Sequence, residues 1–131
     1  MFTHMYKLKI MKTLIASIVA CVTATVYNAV PGQTDDTPNI TATGFVIDLD
    51  AAEKHRIVAV SRDLEKIGFT MGKTICVENA GPMNGIWYIR DRMNKRWTKK
   101  IDFLVNKKRK YGKWNNVSIR LINSHNVTIG S

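Results

Sequence analysis

Beyond residue 22 the apolar positions follow the period of strands rather than that of helices. The clearest case is Val117-Ser118-Ile119-Arg120-Leu121, where apolar and polar residues alternate as they do when successive side chains leave opposite faces of a sheet. Thr23-Ala24-Thr25-Val26-Tyr27-Asn28-Ala29-Val30 is rich in β-branched and aromatic residues, and Pro31-Gly32 closes it. A loop with the turn formers Asp35, Asp36 and Pro38 follows, and Gly44-Phe45-Val46-Ile47 predicts a short second strand. Arg56-Ile57-Val58-Ala59-Val60 predicts a third, and its apolar run is the pattern of a strand buried on both faces. Ser61 to Lys66 opens like a helix, with Ser61 as its cap, and Gly68 stops it. Further strands are predicted over 74–78, 86–90 and 101–105, the first two joined by a loop containing Gly and Pro. Six or seven short strands and one brief helix predict an all-β chain closed into a small barrel.

The residues ahead of this pattern have another character. MKTLIASIVAC, residues 11 to 21, is a short positive start followed by an apolar run, and MYKLKIMK before it adds positive charge. That is the grammar of an export signal, and the run is too short for a membrane span. Two exits from the signal fit. Ile18-Val19-Ala20-Cys21 matches a lipobox, with Cys21 lipidated, while Val22-Thr23-Ala24 has the small residues of an ordinary signal-peptidase site. The plainer alternative is an extra N-terminal strand or helix in a cytoplasmic protein. The chain therefore divides into a leader, 1–22, a barrel domain, 23–122, and a C-terminal tail, 123–131.

Charge narrows the partners. The chain of 131 residues carries a formal net charge of +10, and from Arg90 to Arg120 there are twelve Lys or Arg against two acids. Such a surface attracts polyanions, whether nucleic acid, anionic membrane or an acidic envelope polymer. The run Lys107-Lys108-Arg109-Lys110 reads most simply as a solvated loop. Two cysteines give no disulfide framework, and Cys76 in its apolar run reads as a small buried residue. The three histidines lack ligand spacing, so no metal or cofactor is implied. Gly72-Lys73-Thr74 ends like a phosphate-binding loop, but its earlier glycine is replaced by Ile67 and a strand follows where a helix should.

The two acids of the basic stretch RDRMNKRWTKKID are its candidate chemistry. Asp91 and Asp102 stand eleven residues apart, and Asp102 is flanked by the apolar Ile101 and Phe103. A carboxyl delivers a proton near neutral pH only if burial or a neighbouring negative charge raises its proton affinity, and this pair meets both conditions if the fold brings it together. The structural alternative is that each Asp accepts backbone N–H groups at a turn, or pairs with Arg90, Arg92 or Arg96.

TATVYNAV, TATG at 41–44, IVAVSRDL, GKTICVE and YIRDRMNKRWTKKIDFLV, in that order and spacing, resemble the three-aspartate (3D) domain. That domain is a double-psi β-barrel shared with the membrane-bound lytic transglycosylase A family and with rare-lipoprotein-A-like and expansin-like cell-wall proteins. The resemblance implies a six-stranded double-psi barrel with one short helix, an exported protein of the periplasm or cell envelope, and peptidoglycan as partner. It implies lytic transglycosylase activity, with Asp102 as general acid/base and Asp91 as its electrostatic partner. Trp97 and Trp87 would then offer flat faces to sugar rings, and Arg92, Asn94, Arg96 and Lys100 would hold acidic peptide stems. Two departures stand out. The first acid of the family pattern is Ser61 here, with Asp63 two residues later as substitute, and the usual Gly-Gly is replaced by Arg92-Met93-Asn94. A non-catalytic glycan-binding barrel of the expansin-like kind is the nearest alternative, with membrane contact only through a lipid on Cys21. A basic phage-associated protein binding nucleic acid through 90–113 is the third.

Overall fold

In the computed structural model, residues 18–28, 40–44, 46–106, 108–109 and 111–122 are described, with only the backbone of 49 and 50. The strands are β1 (Val19–Tyr27), β2 (Ile57–Val60), β3 (Thr74–Glu78), β4 (Gly85–Arg92), β5 (Lys100–Leu104) and β6 (Lys113–Ile122). One short helix, α1 (Arg62–Lys66), follows β2, and 3-10 turns occupy Leu49–His55 and Gly81–Met83. The strands close into a barrel in the order β1-β5-β2-β4-β3-β6. β1 lies parallel to β5 and β2 parallel to β4, while every other neighbouring pair is antiparallel. This closed, mixed, six-stranded barrel is consistent with a double-psi barrel. Closure pairs each of these six described strands on both sides.

Period-two alternation fills the interior. Val22 and Ala24 of β1, Val58 and Val60 of β2, Ile75 and Val77 of β3, Trp87 and Ile89 of β4, Ile101 and Phe103 of β5, and Val117 and Ile119 of β6 form one buried cluster, to which Leu64 and Phe69 contribute from α1 and its exit. Trp87 lies at its centre, with its ring centroid 4.5 Å from that of Phe103. Its Nε1–H donates to the Met83 carbonyl at 2.7 Å, so the polar atom of this large side chain is not stranded in the core. The Arg56 guanidinium covers the ring 3.9 Å from its centroid.

β2 is buried at all four positions, as its unbroken apolar run predicts. The reason is a second cluster outside the barrel, where Ile57 and Leu104 pack with Ile47, Ala52 and Tyr27. The 3-10 turns of Leu49–His55 lie on this side of the sheet, so both faces of β2 and β5 are covered there.

Several boundaries differ from those the sequence predicts. β1 begins at Val19, because Val19, Ala20, Cys21 and Val22 pair with Arg120, Ile119, Ser118 and Val117 of β6. Residues 19–22, read in the sequence as the end of a leader, are therefore barrel strand, and Val22 is core. Residues 1–17, 29–39 and the tail 123–131 lie outside the described residues. The strand expected over 44–47 is reduced to a single bridge, Ile40 with Val46, closed by the turn in which Gly44 N–H donates to the Thr41 carbonyl. Ser61 does not cap α1 with its side chain; its wholly buried hydroxyl oxygen accepts the Lys100 N–H at 3.0 Å and ties α1 to the start of β5. Gly68 ends α1 with φ of 121°, a backbone conformation that favours glycine.

Candidate functional site

The register of four neighbouring strands builds the site. Asp91 of β4 is opposite Ala59 of β2, Ala59 is opposite Asp102 of β5, and Asp102 is opposite Thr25 of β1. The four residues form one row across the sheet. In β5 the flanking Ile101 and Phe103 point into the core, so Asp102 points outward, as Thr25 and Ala59 do beside their own core neighbours. Strict alternation from Trp87 and Ile89 would send Asp91 inward. It does not, because the pairing steps from Val58 with Ile89 to Ala59 with Asp91, leaving Arg90 as an extra residue. This irregularity re-aims Asp91 onto the outer face. The two acids thus sit two strands apart, about 9–10 Å between Cα atoms, with Ala59 of β2 between them.

Each carboxylate has its own partners. Thr25 Oγ1–H donates to Asp102 Oδ1 in a short hydrogen bond. Asp91 Oδ1 accepts the backbone N–H of Arg92 at 3.0 Å and that of Ala42, at the tip of the 41–44 turn, at 3.3 Å. Asp91 Oδ2 accepts the Tyr27 hydroxyl at 3.3 Å. Tyr27 leaves β1 two residues after Thr25 on the same face, and its ring packs in the outer apolar cluster.

Electrostatics follow from this placement. Burial raises the proton affinity of Asp102 above the ordinary aspartate value; the Thr25 hydrogen bond and the Lys100 charge oppose the rise, and repulsion from Asp91 adds to it. Burial raises Asp91 as well, against the pull of the Arg92 and Ala42 N–H groups, the Tyr27 hydroxyl and the Arg92 charge. Burial, then the negative charges of Asp91 and Asp102, hold the Tyr27 phenol well above its usual range, so it stays a neutral donor. The ion pairs of the described residues join Lys54 to Asp48, Arg92 to Glu65 and Arg109 to Glu53. Neither row acid takes part in them.

The other residues singled out in the sequence fall in different places. Trp87 is only 1 % exposed and is a core residue, so it has no face free for a sugar ring. Trp97 is 38 % exposed on the loop before β5, with Lys100 Nζ 3.7 Å and the Arg96 guanidinium 4.9 Å from its ring centroid. Lys100 is therefore shared between Trp97 and the electrostatic field of Asp102. Arg92 forms a two-pronged pair with Glu65 at 2.9 and 3.2 Å. Asn94 Oδ1 accepts the Arg96 N–H at 3.1 Å and closes the loop turn. Asp63 lies outside the row, in the first turn of α1, where its Oδ2 accepts the Lys99 N–H at 2.9 Å. Burial pushes Asp63 up, but hydrogen bonds from the Ser61 hydroxyl and the Lys99 backbone outweigh it, and its proton affinity is lowered. Cys21 is exposed on β1. Among the described residues, no three His, Cys, Asp or Glu side chains gather where a metal could be held.

Tyr27, Thr25, Ala59 and Ala42 belong to the site but were not marked by sequence reasoning as site residues. A signal existed for two of them. Thr25 and Tyr27 are two apart in TATVY, so any strand that presents one outward presents the other. Compared with known protein families, curated proteins and solved structures, the chain matches none.

Proposed function

We propose that this protein is an exported, cell-wall-active enzyme of the lytic transglycosylase type, cleaving the glycosidic bond between N-acetylmuramic acid and N-acetylglucosamine in peptidoglycan. The observation that carries the reading is the row itself: two carboxyls on one face, across Ala59, both with raised proton affinity. Asp102 has a single neutral donor, whereas Asp91 accepts two backbone N–H groups and a phenol. Hydrogen bonds to the charged form favour it, so Asp91 is the acid better suited to be ionised and Asp102 the one to hold the proton.

In this scheme Asp102 gives its proton to the bridging oxygen as the glycosidic bond breaks, and Asp91 steadies the positive charge that develops on the sugar. The Asp102 carboxylate then takes the proton of the muramic acid 6-hydroxyl as that oxygen bonds to the anomeric carbon. The carboxyl ends protonated, and no water is consumed. Lys100, with Arg96 and the exposed Trp97 next to it, would receive the acidic stems and sugar faces of the polymer.

Incubating the protein with peptidoglycan sacculi is expected to release 1,6-anhydromuropeptides, and Asp102→Asn to lower the rate about a thousandfold. Equal release by the variant, or none by the native protein, removes the enzyme reading. One observation favours a non-catalytic glycan-binding barrel instead, the exposed Trp97 ring beside Lys100. That reading expects co-sedimentation with sacculi that survives Asp102→Asn and falls on Trp97→Ala.

Export is part of the proposal. An exit at Cys21 would remove Val19 and Ala20 from the start of β1, whereas one beyond Ala24 would also strip the core of Val22 and Ala24, which supports the earlier exit. The intact mass of protein recovered from the envelope is expected to show a chain starting at a lipidated Cys21; a chain starting after Ala24 would refute this.

A further inference from the structure

We propose that Tyr27 is a positioning residue that divides the labour between the two acids, keeping Asp91 ionised so that the proton of the pair stays on Asp102. This inference rests on the reading of the row as an acid/base pair. It begins with reach: Tyr27 starts from β1, beyond β5 and β2 from Asp91, yet its hydroxyl lies 3.3 Å from Asp91 Oδ2. The side chain therefore reaches past β5 and β2, on the side of Leu104 and Ile57, and couples strands that do not touch through their backbones. Its ring is clamped among Ile47, Ala52, Ile57 and Leu104, so the hydroxyl is delivered to one place.

Its chemistry suits the task. A phenol that cannot ionise at working pH is a donor in every relevant state, and it donates to one acid of the pair only. Thr25 and Tyr27 thus serve one acid each from the same face of β1. Among the described residues, the charges of Asp91 on β4 and Asp102 on β5 act on this hydroxyl; Lys100 acts in turn on Asp102 and Arg92 on Asp91, and the Ala42 N–H of the 41–44 turn also reaches Asp91. Removing the hydroxyl takes a donor from Asp91 and leaves the charges of Lys100 and Arg92 in place. Asp91 then binds its proton more tightly, and Asp102, facing less negative charge, binds its own less tightly.

The test is Tyr27→Phe, which keeps the ring and its packing. Titrating the carboxyl carbons of Asp91 and Asp102 by NMR in the intact protein is expected to show the Asp91 midpoint rising and the Asp102 midpoint falling in the variant. In parallel, the bell of sacculus digestion against pH should narrow from both sides, with the rate at its optimum down about tenfold. Unchanged midpoints for both acids overturn the inference, even if the variant digests more slowly. Shifted midpoints in a protein that releases no anhydromuropeptide uphold the role of Tyr27 while the glycan-cleavage reading fails. Unfolding of Tyr27→Phe and native protein at the same temperature confirms that packing is not what changed.

Discussion

Along β5 the inward face and the outward face are held by different means. Ile101 and Phe103 point into a cluster contributed by all six strands, where each apolar side chain has many interchangeable neighbours. Lys100 and Asp102 point out, and Asp102 depends on one hydroxyl, one nearby cation and one repelling acid. Non-directional burial shares its load widely, whereas a directed hydrogen bond rests on a single partner. The interior is therefore robust to exchange among apolar residues, and the outer row is not robust to loss of any one donor.

The largest effect should come from the inner face. Phe103→Ala removes the ring packed at a tilt against Trp87 and is expected to cost about 3–5 kcal/mol of stability by chemical denaturation. A loss under about 1 kcal/mol would mean the core does not centre on that pair.

A smaller and more telling effect concerns the sign of pH dependence at two acids. Asp102 binds its proton more tightly folded than unfolded, so its contribution to stability is present below the ordinary aspartate range and is lost as pH rises through its folded value. Asp63 is the reverse, contributing above the ordinary range and losing that contribution as pH falls through its lowered value. At neutral pH Asp102→Asn should thus unfold at a higher temperature than the native protein, with the gap closing in acid. Asp63→Asn should be less stable at neutral pH, on the order of 1 kcal/mol, and match the native protein in acid. Parallel behaviour of the two variants would erase the distinction between an acid whose proton affinity is raised by folding and one whose affinity is lowered.

Much of the barrel was legible because alternation is a local property. The centres of β2, β3, β4, β5 and β6 and the brief helix could be read from residues that touch one another along the chain. Which face of a strand points inward relative to a distant partner is not local. Trp87 and Trp97 look alike in the sequence, yet the first is core and the second lies on a loop. Asp91 was found through its spacing from Asp102, but nothing in YIRDR announces that Arg90 would be passed over in the pairing and Asp91 turned outward. Ser61 does stand at the N-cap of α1, but its hydroxyl accepts the N–H of Lys100, thirty-nine positions away and so beyond any local reading. Tyr27 stayed unmarked for the same reason, its carboxylate partner lying sixty-four residues on.

The hydrogen bond from Thr25 to Asp102 spans seventy-seven residues. Strand β5 must insert between β1 and β2, its parallel and antiparallel neighbours, before the row exists at all. Contacts so remote in the chain slow folding, because loop closure opposes them before they form. For an enzyme of the proposed kind this delay is protective: a polypeptide still emerging from the ribosome, or threaded unfolded through a translocon, carries no assembled cutting centre, and competence arrives only where the whole domain can close.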